Sequence, residues 1–276
     1  MVAPGAGQVE EPFVVRLLKR SSARSIDDGT VTKLLKVVFW IALPLTLAGW
    51  WQGNDFVDFD WLPSQVVEEP QQKKARKKGF NVEYNDVVYT VEPKYAYTLY
   101  GMVVSFRYHD GDRMLHKVWN DHLNVADVCV VWGDNMGEVN LNAFDFFNGQ
   151  FTCNFSTGDQ VAWQQFRVQQ LSNNHLLTAD DDLRSRITEV RVGDIIRVEG
   201  WLSWYGQAGL GNGAMRKTSV TRDDTGNGAC ETIYVRDFEI IRSMPNPWRT
   251  VFTLFGILTL LTVVLFIVGV GSGRMK

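Results

Sequence analysis

The chain has few of the residues from which metal and redox sites are usually built. Its 276 residues include only three cysteines and four histidines. It contains no P-loop and no dinucleotide-binding fingerprint, which argues against the common nucleotide-dependent enzymes. No serine or cysteine stands beside a histidine in a recognisable nucleophile motif. Whether the chain is an enzyme is therefore left open, and a non-catalytic role is favoured.

Two uncharged apolar segments flank a polar middle. Residues 37–51 (VVFWIALPLTLAGWW) and 251–271 (VFTLFGILTLLTVVLFIVGVG) contain no Asp, Glu, Lys or Arg. If the first begins at Leu34, with Lys36 reaching to the interface, its eighteen helical residues rise roughly 27 Å, enough to cross a bilayer. A secretory signal peptide is the alternative for this segment, but the 36 residues before position 37 make an unusually long n-region. We therefore predict two transmembrane helices.

The charges around these helices predict their orientation. Six basic residues precede the first helix, whereas five acidic residues and no basic one occupy the twenty positions after it. The positive-inside rule then places residues 1–36 and 272–276 in the cytoplasm and residues 80–243 outside it. Two features argue against this orientation: the basic run KKARKK at 73–78, and Arg242 with Arg249 just before the second helix.

The segment between the first helix and the polar domain has a mixed charge. Residues 52–79 are acidic, then glutamine-rich, then basic, and end in the run KKARKK at 73–78. We expect this segment to be a solvated, charged linker. Binding of the basic run to lipid headgroups or to an acidic partner is the alternative.

The middle of the chain has the pattern of a β-domain. Apolar and polar residues alternate there in short segments separated by Gly, Asn and Asp, which is typical of strands and turns. One helix is predicted at 178–189, with Thr178 as its N-cap and three aspartates at its positive end. A glycine-rich loop follows at 206–213. The predicted strands cover residues 81–84, 86–91, 95–108, 125–132, 150–155, 189–205 (with a Gly-Asp turn inside it) and 229–242.

The order of these segments resembles the OB-fold, a small barrel of five strands. The resemblance is carried by a glycine-interrupted first strand, by a Val-Gly-Asp-Ile turn with its following strand, and by the closing strand. The matching residues are Leu99, Gly101, Val103, Val192, Gly193, Asp194, Ile195, Arg197, Val198, Gly200, Leu202, Ile233, Val235, Asp237, Phe238, Ile240 and Ile241. The resemblance implies a mainly β fold, namely an OB-like closed or partly open barrel with one helix, flanked by two transmembrane helices. Other closed or sandwiched β-folds are the alternative.

OB-folds often bind single-stranded nucleic acid, but the charge of this domain argues against such a partner. Residues 80–243 contain 14 Lys and Arg against 22 Asp and Glu, a net charge of −8. Nucleic-acid binding relies on a basic groove that contacts the phosphates. The expected partners are instead the lipid bilayer and other membrane or envelope proteins.

Two polar segments are candidate cation sites. Histidine and aspartate cluster between residues 108 and 122, and these side chains bind divalent metals. The candidate ligands there are His109, Asp110, Asp112, His116, Asp121 and His122. The segment 223–228 (DDTGNG) is oxygen-rich like a calcium loop, with Asp223 and Asp224 as its ligands. Neither spacing matches a standard motif, and a polar loop explains each equally well. No resident cofactor is therefore expected, and a divalent cation is the alternative.

Aromatic residues and cysteines supply the remaining candidates. Trp201, Trp204 and Tyr205 lead into the glycine-rich loop and are a candidate interaction surface, with a core role as the alternative. Outside the cytoplasm, three cysteines predict either one disulfide and one thiol or three buried thiols. Cys129 and Cys153 are the preferred pair, because they lie on predicted strands that could be neighbours.

Anchoring at both ends is the feature that bears most on function. It holds an aromatic-rich domain close to a membrane, which favours a structural or interaction subunit of an envelope complex. Gly269 and Gly273 form a small-xxx-small pair in the second helix, a pattern found where membrane helices pair. The first alternative is a binding module for a small ligand or a divalent cation, and the second is a metal-dependent hydrolase.

Overall fold

The computed structural model describes residues 28–59, 61–210, 214–222, 224–226 and 229–272. The chain divides into two compact units, one formed by Asn54–Asn246 and one by the segments on either side of it. The helices are α1 (Asp28–Gln52), α2 (Met114–Trp119), α3 (Gln160–Gln165), α4 (Asp181–Thr188) and α5 (Pro247–Gly271). The strands are β1 (Gln71–Lys74), β2 (Phe80–Tyr84), β3 (Val87–Tyr108), β4 (Asn124–Val131), β5 (Phe144–Asn148), β6 (Cys153–Thr157), β7 (Leu171–Leu177), β8 (Ile195–Gln207) and β9 (Cys230–Arg242). Short 3-10 helices lie at Ser64–Val67, Gly133–Met136, Leu141–Ala143 and Val168–Gln170.

The described chain is mixed α/β, with about equal helix and strand content. The expectation of a mainly β protein is corrected for two reasons. The long helices α1 and α5 contribute much of the regular structure, and α2 and α3 form in segments for which no helix was predicted.

Helices α1 and α5 are long and apolar enough to cross a membrane. Their apolar spans, Gly29–Gln52 and Pro247–Gly271, have mean hydropathies of 1.7 and 2.8. Few of the side chains in these spans are buried inside the protein, which fits helices that have lipid rather than a protein core around them. Both helices begin several residues before the predicted segments. Most of the predicted N-terminal segment 1–36, and residues 273–276, lie outside the described residues.

Small residues bring α1 and α5 together. The Oγ1 atoms of Thr46 and Thr259 are 3.2 Å apart, within hydrogen-bond distance. A Cβ atom on Gly49 would lie 2.6 Å from the backbone nitrogen of Phe252, so only glycine allows this approach. The contact resembles the small-residue interfaces of membrane helix pairs. It lies away from the predicted Gly269–Gly273 pair, of which only Gly269 is within the described residues.

Five strands of Asn54–Asn246 close into a ring. The order around the ring is β3, β4, β7, β9, β8 and back to β3, and only the β7–β9 pair is parallel. Strand β3 is long enough to pair with both β8 and β4, and it changes partner near Gly101. A Cβ atom at Gly101 would lie 2.5 Å from Val130 Cγ1 and from Val131 O. The glycine predicted to bend the first strand is therefore required at the point where the ring closes.

Part of the expected linker belongs to this folded unit. Val66 in the 3-10 helix at Ser64–Val67 is fully buried, and β1 pairs with β3 beside it. The side chains of Lys73 and Lys74 on β1 are exposed. Exposed lysines on an edge strand oppose further strand pairing.

The ring encloses an apolar core that helix α4 covers. Alternating residues of the five strands point inward, and Leu183 and Ile187 of α4 pack on them. Helix α4 starts two residues later than predicted from its N-cap, because Asp180 and not Thr178 caps it. The Asp180 carboxylate accepts hydrogen bonds from the backbone nitrogens of Asp182 and Leu183, at 2.9 and 3.0 Å.

Two strand predictions are also corrected. Residues 150–155, predicted as one strand, contain the turn between β5 and β6 and the start of β6. Strand β7 was not predicted, yet it lies between β4 and β9 in the ring. Its sequence, LSNNHLL, lacks the apolar alternation that identifies a strand with one solvent-facing side.

Candidate functional site

The outer face of β4 and β7 carries a buried polar cluster. Successive side chains of a strand point to opposite faces. Val128 and Leu176 therefore enter the barrel, while Asp127 and His175 lie on its outer side. Asp127 and His175 are directly opposite each other, and both are 0% exposed. A buried carboxylate and a buried imidazole must find hydrogen-bond partners, because unpaired polar groups are costly in a protein interior.

The hairpin of β5 and β6 covers this face. A disulfide joins Cys129 on β4 to Cys153 on β6, with a Cα–Cα distance of 5.7 Å, and this is the pair that the sequence favoured. Cys230 is the remaining thiol among the described residues. At the hairpin turn, Phe151 has a φ of +63°, an uncommon conformation for a bulky side chain. Its carbonyl oxygen accepts a hydrogen bond of 3.0 Å from Asn173 Nδ2.

Asp127 is the centre of the cluster. Its Oδ1 atom accepts hydrogen bonds from His175 Nδ1 and, at 3.2 Å, from Asn124 Nδ2. His109 Nε2 lies 3.0 Å from the same oxygen. Burial alone would raise the pKa of Asp127, but His175 and His109 outweigh it and hold that pKa below its usual range. The carboxylate is therefore ionised at neutral pH.

The second ring nitrogen of His175 contacts Arg216. Arg216 Nη2 donates to His175 Nε2 at 2.8 Å, so the ring nitrogen facing Arg216 is an acceptor and the other nitrogen carries the proton toward Asp127. Burial lowers the pKa of His175, Asp127 opposes this, and the Arg216 charge lowers the pKa further. The imidazole is thus neutral, and it links a buried carboxylate to a guanidinium.

The side chains around Asp127, together with Arg216, form one group. A second group of hydrogen-bonded side chains, around Asp121, lies beside it. Tyr205 OH donates to Asp121 Oδ2 at 2.9 Å, and His116 Nδ1 lies 3.3 Å from the same oxygen. Although burial tends to raise the pKa of Asp121, these two partners lower it. The imidazole rings of His109 and His116 connect the groups, with centroids 4.0 Å apart.

A cleft of about 660 Å³ opens next to both groups. Asp121 and Arg216 supply its charged lining, and Tyr205 lies between them. The ring of Phe151 lies under the Arg216 guanidinium, 4.4 Å from centroid to Cζ, and stacks on Trp119 at 5.3 Å. The residues lining the cleft are Tyr89, Val118, Trp119, Asn120, Asp121, Phe151, Tyr205, Gly206, Gln207, Leu210, Ala214, Met215 and Arg216.

Three of the six metal ligands predicted between residues 108 and 122 meet at this site. His109, His116 and Asp121 belong to the two groups, whereas Asp110 pairs with the exposed Arg113 at 3.0 Å. The Asp112 backbone nitrogen donates to Asp110 Oδ1, and His122 Nε2 lies 3.0 Å from Asn120 Oδ1. Across the described residues, no group of three or more His, Cys, Asp or Glu is placed to hold a metal ion.

The predicted calcium loop is described only in part. Asp223 lies outside the described residues. Asp224 accepts a hydrogen bond from Ser219 Oγ, so its carboxylate has a partner within the protein.

The three residues of the predicted interaction surface have different surroundings. Trp201 stacks on Tyr234, with centroids 6.2 Å apart. Trp204 lies under the ammonium group of Lys94, at 3.9 Å. Tyr205 is almost fully buried and belongs to the cleft.

The site residues that the sequence did not reveal are Asp127, His175, Phe151 and Arg216. Asp127 gives a signal in retrospect, because it is the one charged residue in the apolar run VADVCVVW. His175 follows two asparagines on a strand flanked by leucines, a pattern that indicates buried hydrogen bonds. Phe151 and Arg216 give no comparable signal.

Searches of protein-family models, of curated proteins and of solved structures found no match to this chain. The cleft and its hydrogen-bonded groups are therefore the main guide to function.

Proposed function

We propose that Asn54–Asn246 is an OB-like binding domain that takes a ligand in the cleft and is held at a membrane by α1 and α5. The strand order supports the OB-like assignment. If the ring strands are numbered one to five in chain order (β3, β4, β7, β8 and β9), their order around the ring is one, two, three, five, four. Helix α4 lies between the third and fourth strands in the chain. A five-stranded Greek-key barrel of this kind defines the OB-fold.

The position of the cleft is the observation that carries the proposal. OB-folds bind ligands on the face of their second and third strands, between the loop that joins strands one and two and the loop that joins strands four and five. The cleft is lined by residues 118–121 from the first of these loops and by Leu210 and residues 214–216 from the second. Its volume also falls within the range of small-molecule sites, roughly 300–1,000 Å³.

Binding fits this geometry better than catalysis does. His175 is fully buried, and its two ring nitrogens already contact Asp127 and Arg216. No serine, threonine or cysteine side chain hydrogen-bonds to His109, His116 or His175 in the described part of the chain. A general base needs both access and a nucleophile to act on. The metal-dependent hydrolase has the least support of the functions considered.

A protein partner is the second candidate. Leu115, Val118 and Trp119 on one side of the cleft are 37%, 75% and 54% exposed, and exposed apolar and aromatic side chains around a pocket are typical of binding hot spots. This feature favours an interaction subunit of an envelope complex, with another membrane or envelope protein as the partner.

The disulfide supports a location outside the cytoplasm. Disulfides persist in oxidising compartments and are rare in the cytoplasm. Together with the charges that flank the helices, it favours cytoplasmic termini and an extracytoplasmic binding domain. Nucleic acid is not proposed as a ligand, because Arg216 is the one basic residue among the described residues lining the cleft.

Blocking the cleft tests the proposal. Ala214 is exposed and lines the cleft, so Ala214→Trp should fill it without entering the core. Val220 is also exposed but does not line the cleft, which makes Val220→Trp the matched control. We expect full-length wild-type protein and the control, extracted in mild detergent, to retain a molecule detected by native mass spectrometry, and Ala214→Trp to lose it.

The mass of the retained molecule separates the two candidates. A mass of a few hundred daltons supports the ligand, and a polypeptide mass supports the protein partner. Retention of the same molecule by Ala214→Trp would contradict both, because both place their partner in or around the cleft.

A further inference from the structure

We propose that the ligand of the cleft carries a carboxylate or phosphate group and that Arg216 binds this oxyanion. The inference rests on the proposed function, a ligand in the cleft, and adds the chemistry that the cleft recognises.

Arg216 is a half-buried cation that faces neutral partners. Its guanidinium donates to the neutral ring of His175, and within the described residues no carboxylate lies within ion-pair distance of it. Arg222 shows the contrast, because it is similarly half-buried and lies 3.0 Å from Glu231. The nearest carboxylate group of the cleft, Asp121, is already engaged by Tyr205 and His116. A charge held in this way is available to an anion that enters the cleft.

The guanidinium is also held in a fixed position. One of its faces lies over Phe151, and Nη2 is fixed by His175, which Asp127 fixes in turn. The main chain of Arg216 pairs with that of Tyr205 through two hydrogen bonds, at 2.8 and 3.0 Å. A guanidinium has five N–H donors, so the contact with His175 leaves a fork of donors for a planar or tetrahedral oxyanion.

The rest of the cleft indicates the body of the ligand. Next to its charged residues, Asp121 and Arg216, the cleft has an apolar and aromatic lining formed by Trp119, Phe151, Leu210 and Met215. Apolar walls with a few fixed polar groups are typical of sites for small organic molecules. The class that fits both features is a small organic acid with an aromatic or apolar body, such as an aryl carboxylate or an aryl phosphate.

Four probes of similar size test this class. Full-length protein in mild detergent is titrated by calorimetry with benzoate, phenyl phosphate, neutral benzamide and cationic benzylamine. We expect saturable binding of the two anions and affinities roughly tenfold or more lower for the other two, since charge-assisted hydrogen bonds account for differences of that size. Competition between benzoate and phenyl phosphate shows that they share one site, and their relative affinities show which oxyanion is preferred.

Arg216→Met should weaken binding of both anions roughly tenfold or more. Lys217→Met is the matched control: it removes the same charge at the next residue, whose exposed side chain lies over Trp204, and it should leave the affinity within about twofold. Should Arg216→Met fail to fold, Arg216→Lys keeps the charge but loses the fork, and a measurable loss of anion affinity is expected there too.

The outcomes distinguish this inference from the proposed function. If benzamide or benzylamine bound as tightly as the two anions or more tightly, and Ala214→Trp abolished that binding, the proposal that the cleft recognises an oxyanion would be wrong. The proposal that the cleft binds a ligand would still stand. Unchanged benzoate affinity in Arg216→Met would overturn the role of Arg216. Failure of both anions to bind wild-type protein would overturn the ligand class, and the molecule retained in the native spectrum would still decide the proposed function.

Discussion

Strands β4 and β7 present two buried faces that differ in chemistry. Inside the barrel, Val128, Val130 and Leu176 pack in a largely apolar core, in which Asn174 Nδ2 donates to Ser172 Oγ at 2.8 Å. On the other side of the same strands, Asp127 and His175 are equally buried but connected by hydrogen bonds. The inner face is buried by the barrel itself, whereas the outer face is buried by the β5–β6 hairpin and the loop that contains α2. The inner side chains of β4 and β7 are uncharged, whereas the outer, polar face is centred on the ionised carboxylate of Asp127, which closing the barrel does not require.

Stability alone does not explain the polar face. Replacing a buried ionic network by apolar residues of similar volume is often neutral or stabilising, so a protein gains little net stability from keeping one. Hydrogen bonds between buried side chains do, however, fix the position of the groups that they join. Here its last member is Arg216, which lines the cleft, so the network is best understood as a support for that side chain.

Removing the centre of the polar face should have the largest effect. Asp127→Ala leaves two imidazoles and an amide without their shared acceptor, and loss of one partner in a buried charged network costs about 3–5 kcal/mol. Val128→Ala, on the opposite face of the same strand, should cost about 2 kcal/mol through a smaller cavity. Thermal unfolding of the full-length variants, followed by near-ultraviolet circular dichroism, measures the difference. Equal losses would show that the two faces are energetically alike.

Removing the disulfide that holds the β5–β6 hairpin over the polar face should have the next largest effect on stability. Cys129→Ser with Cys153→Ser opens a disulfide that spans 24 residues, and loops of that length contribute roughly 3 kcal/mol. Because the disulfide fastens β6 to β4, hydrogen exchange should rise on the outer face before it rises in the barrel core. Cys230→Ser, at the unpaired cysteine, is the control and should change stability by less than about 1 kcal/mol. An increase in exchange spread evenly over both faces would contradict the covering role of the hairpin.

The sequence predicted the elements that follow local rules. The bend at Gly101, the helix at α4 and the two apolar helices each have a signal in the residues that form them. Strand β7 has no such signal, because both of its faces are buried and both carry polar side chains, so the usual alternation is absent. The site depends on contacts far apart in the chain: Asp127 and His175 are separated by 48 residues, and His175 and Arg216 by 41. Such contacts form only when the ring closes, and the spacing of residues in the sequence does not predict them.

The two faces should also respond to pH with opposite signs. The folded-state pKa of His175 lies below 6.5, so the unfolded chain binds the extra proton as pH falls below 6.5, and stability falls with it. On the barrel side, burial raises the pKa of Glu231 from 4.5 to about 7, against the opposing charge of Arg222. The folded state then keeps a proton that the unfolded chain has released, so stability falls as pH rises from about 4.5 to 7.

Between pH 5 and 6.5 these contributions oppose each other in the wild-type protein. His175→Gln should therefore become less stable as pH rises through this window, and Glu231→Gln should become more stable. Each slope should be at most about 1.4 kcal/mol per pH unit. Unfolding midpoints measured at several pH values test this, since the slope is informative even where a variant is less stable overall. Slopes of the same sign in both variants would show that one of the two groups does not titrate as its surroundings indicate.

The smallest effect on stability is expected at the rim of the cleft. Trp119 is more than half exposed and stacks on the ring of Phe151, so Trp119→Ala should cost less than about 1.5 kcal/mol. Binding should respond differently, because this indole forms part of the apolar wall beside Arg216. We expect roughly tenfold weaker binding of phenyl phosphate, measured by calorimetry, with a nearly unchanged unfolding midpoint. Trp163→Ala, at a similarly exposed tryptophan on α3 that does not line the cleft, should leave binding unchanged. Equal losses of binding in the two variants would place the ligand somewhere other than the cleft, and the polar face would then need a different explanation.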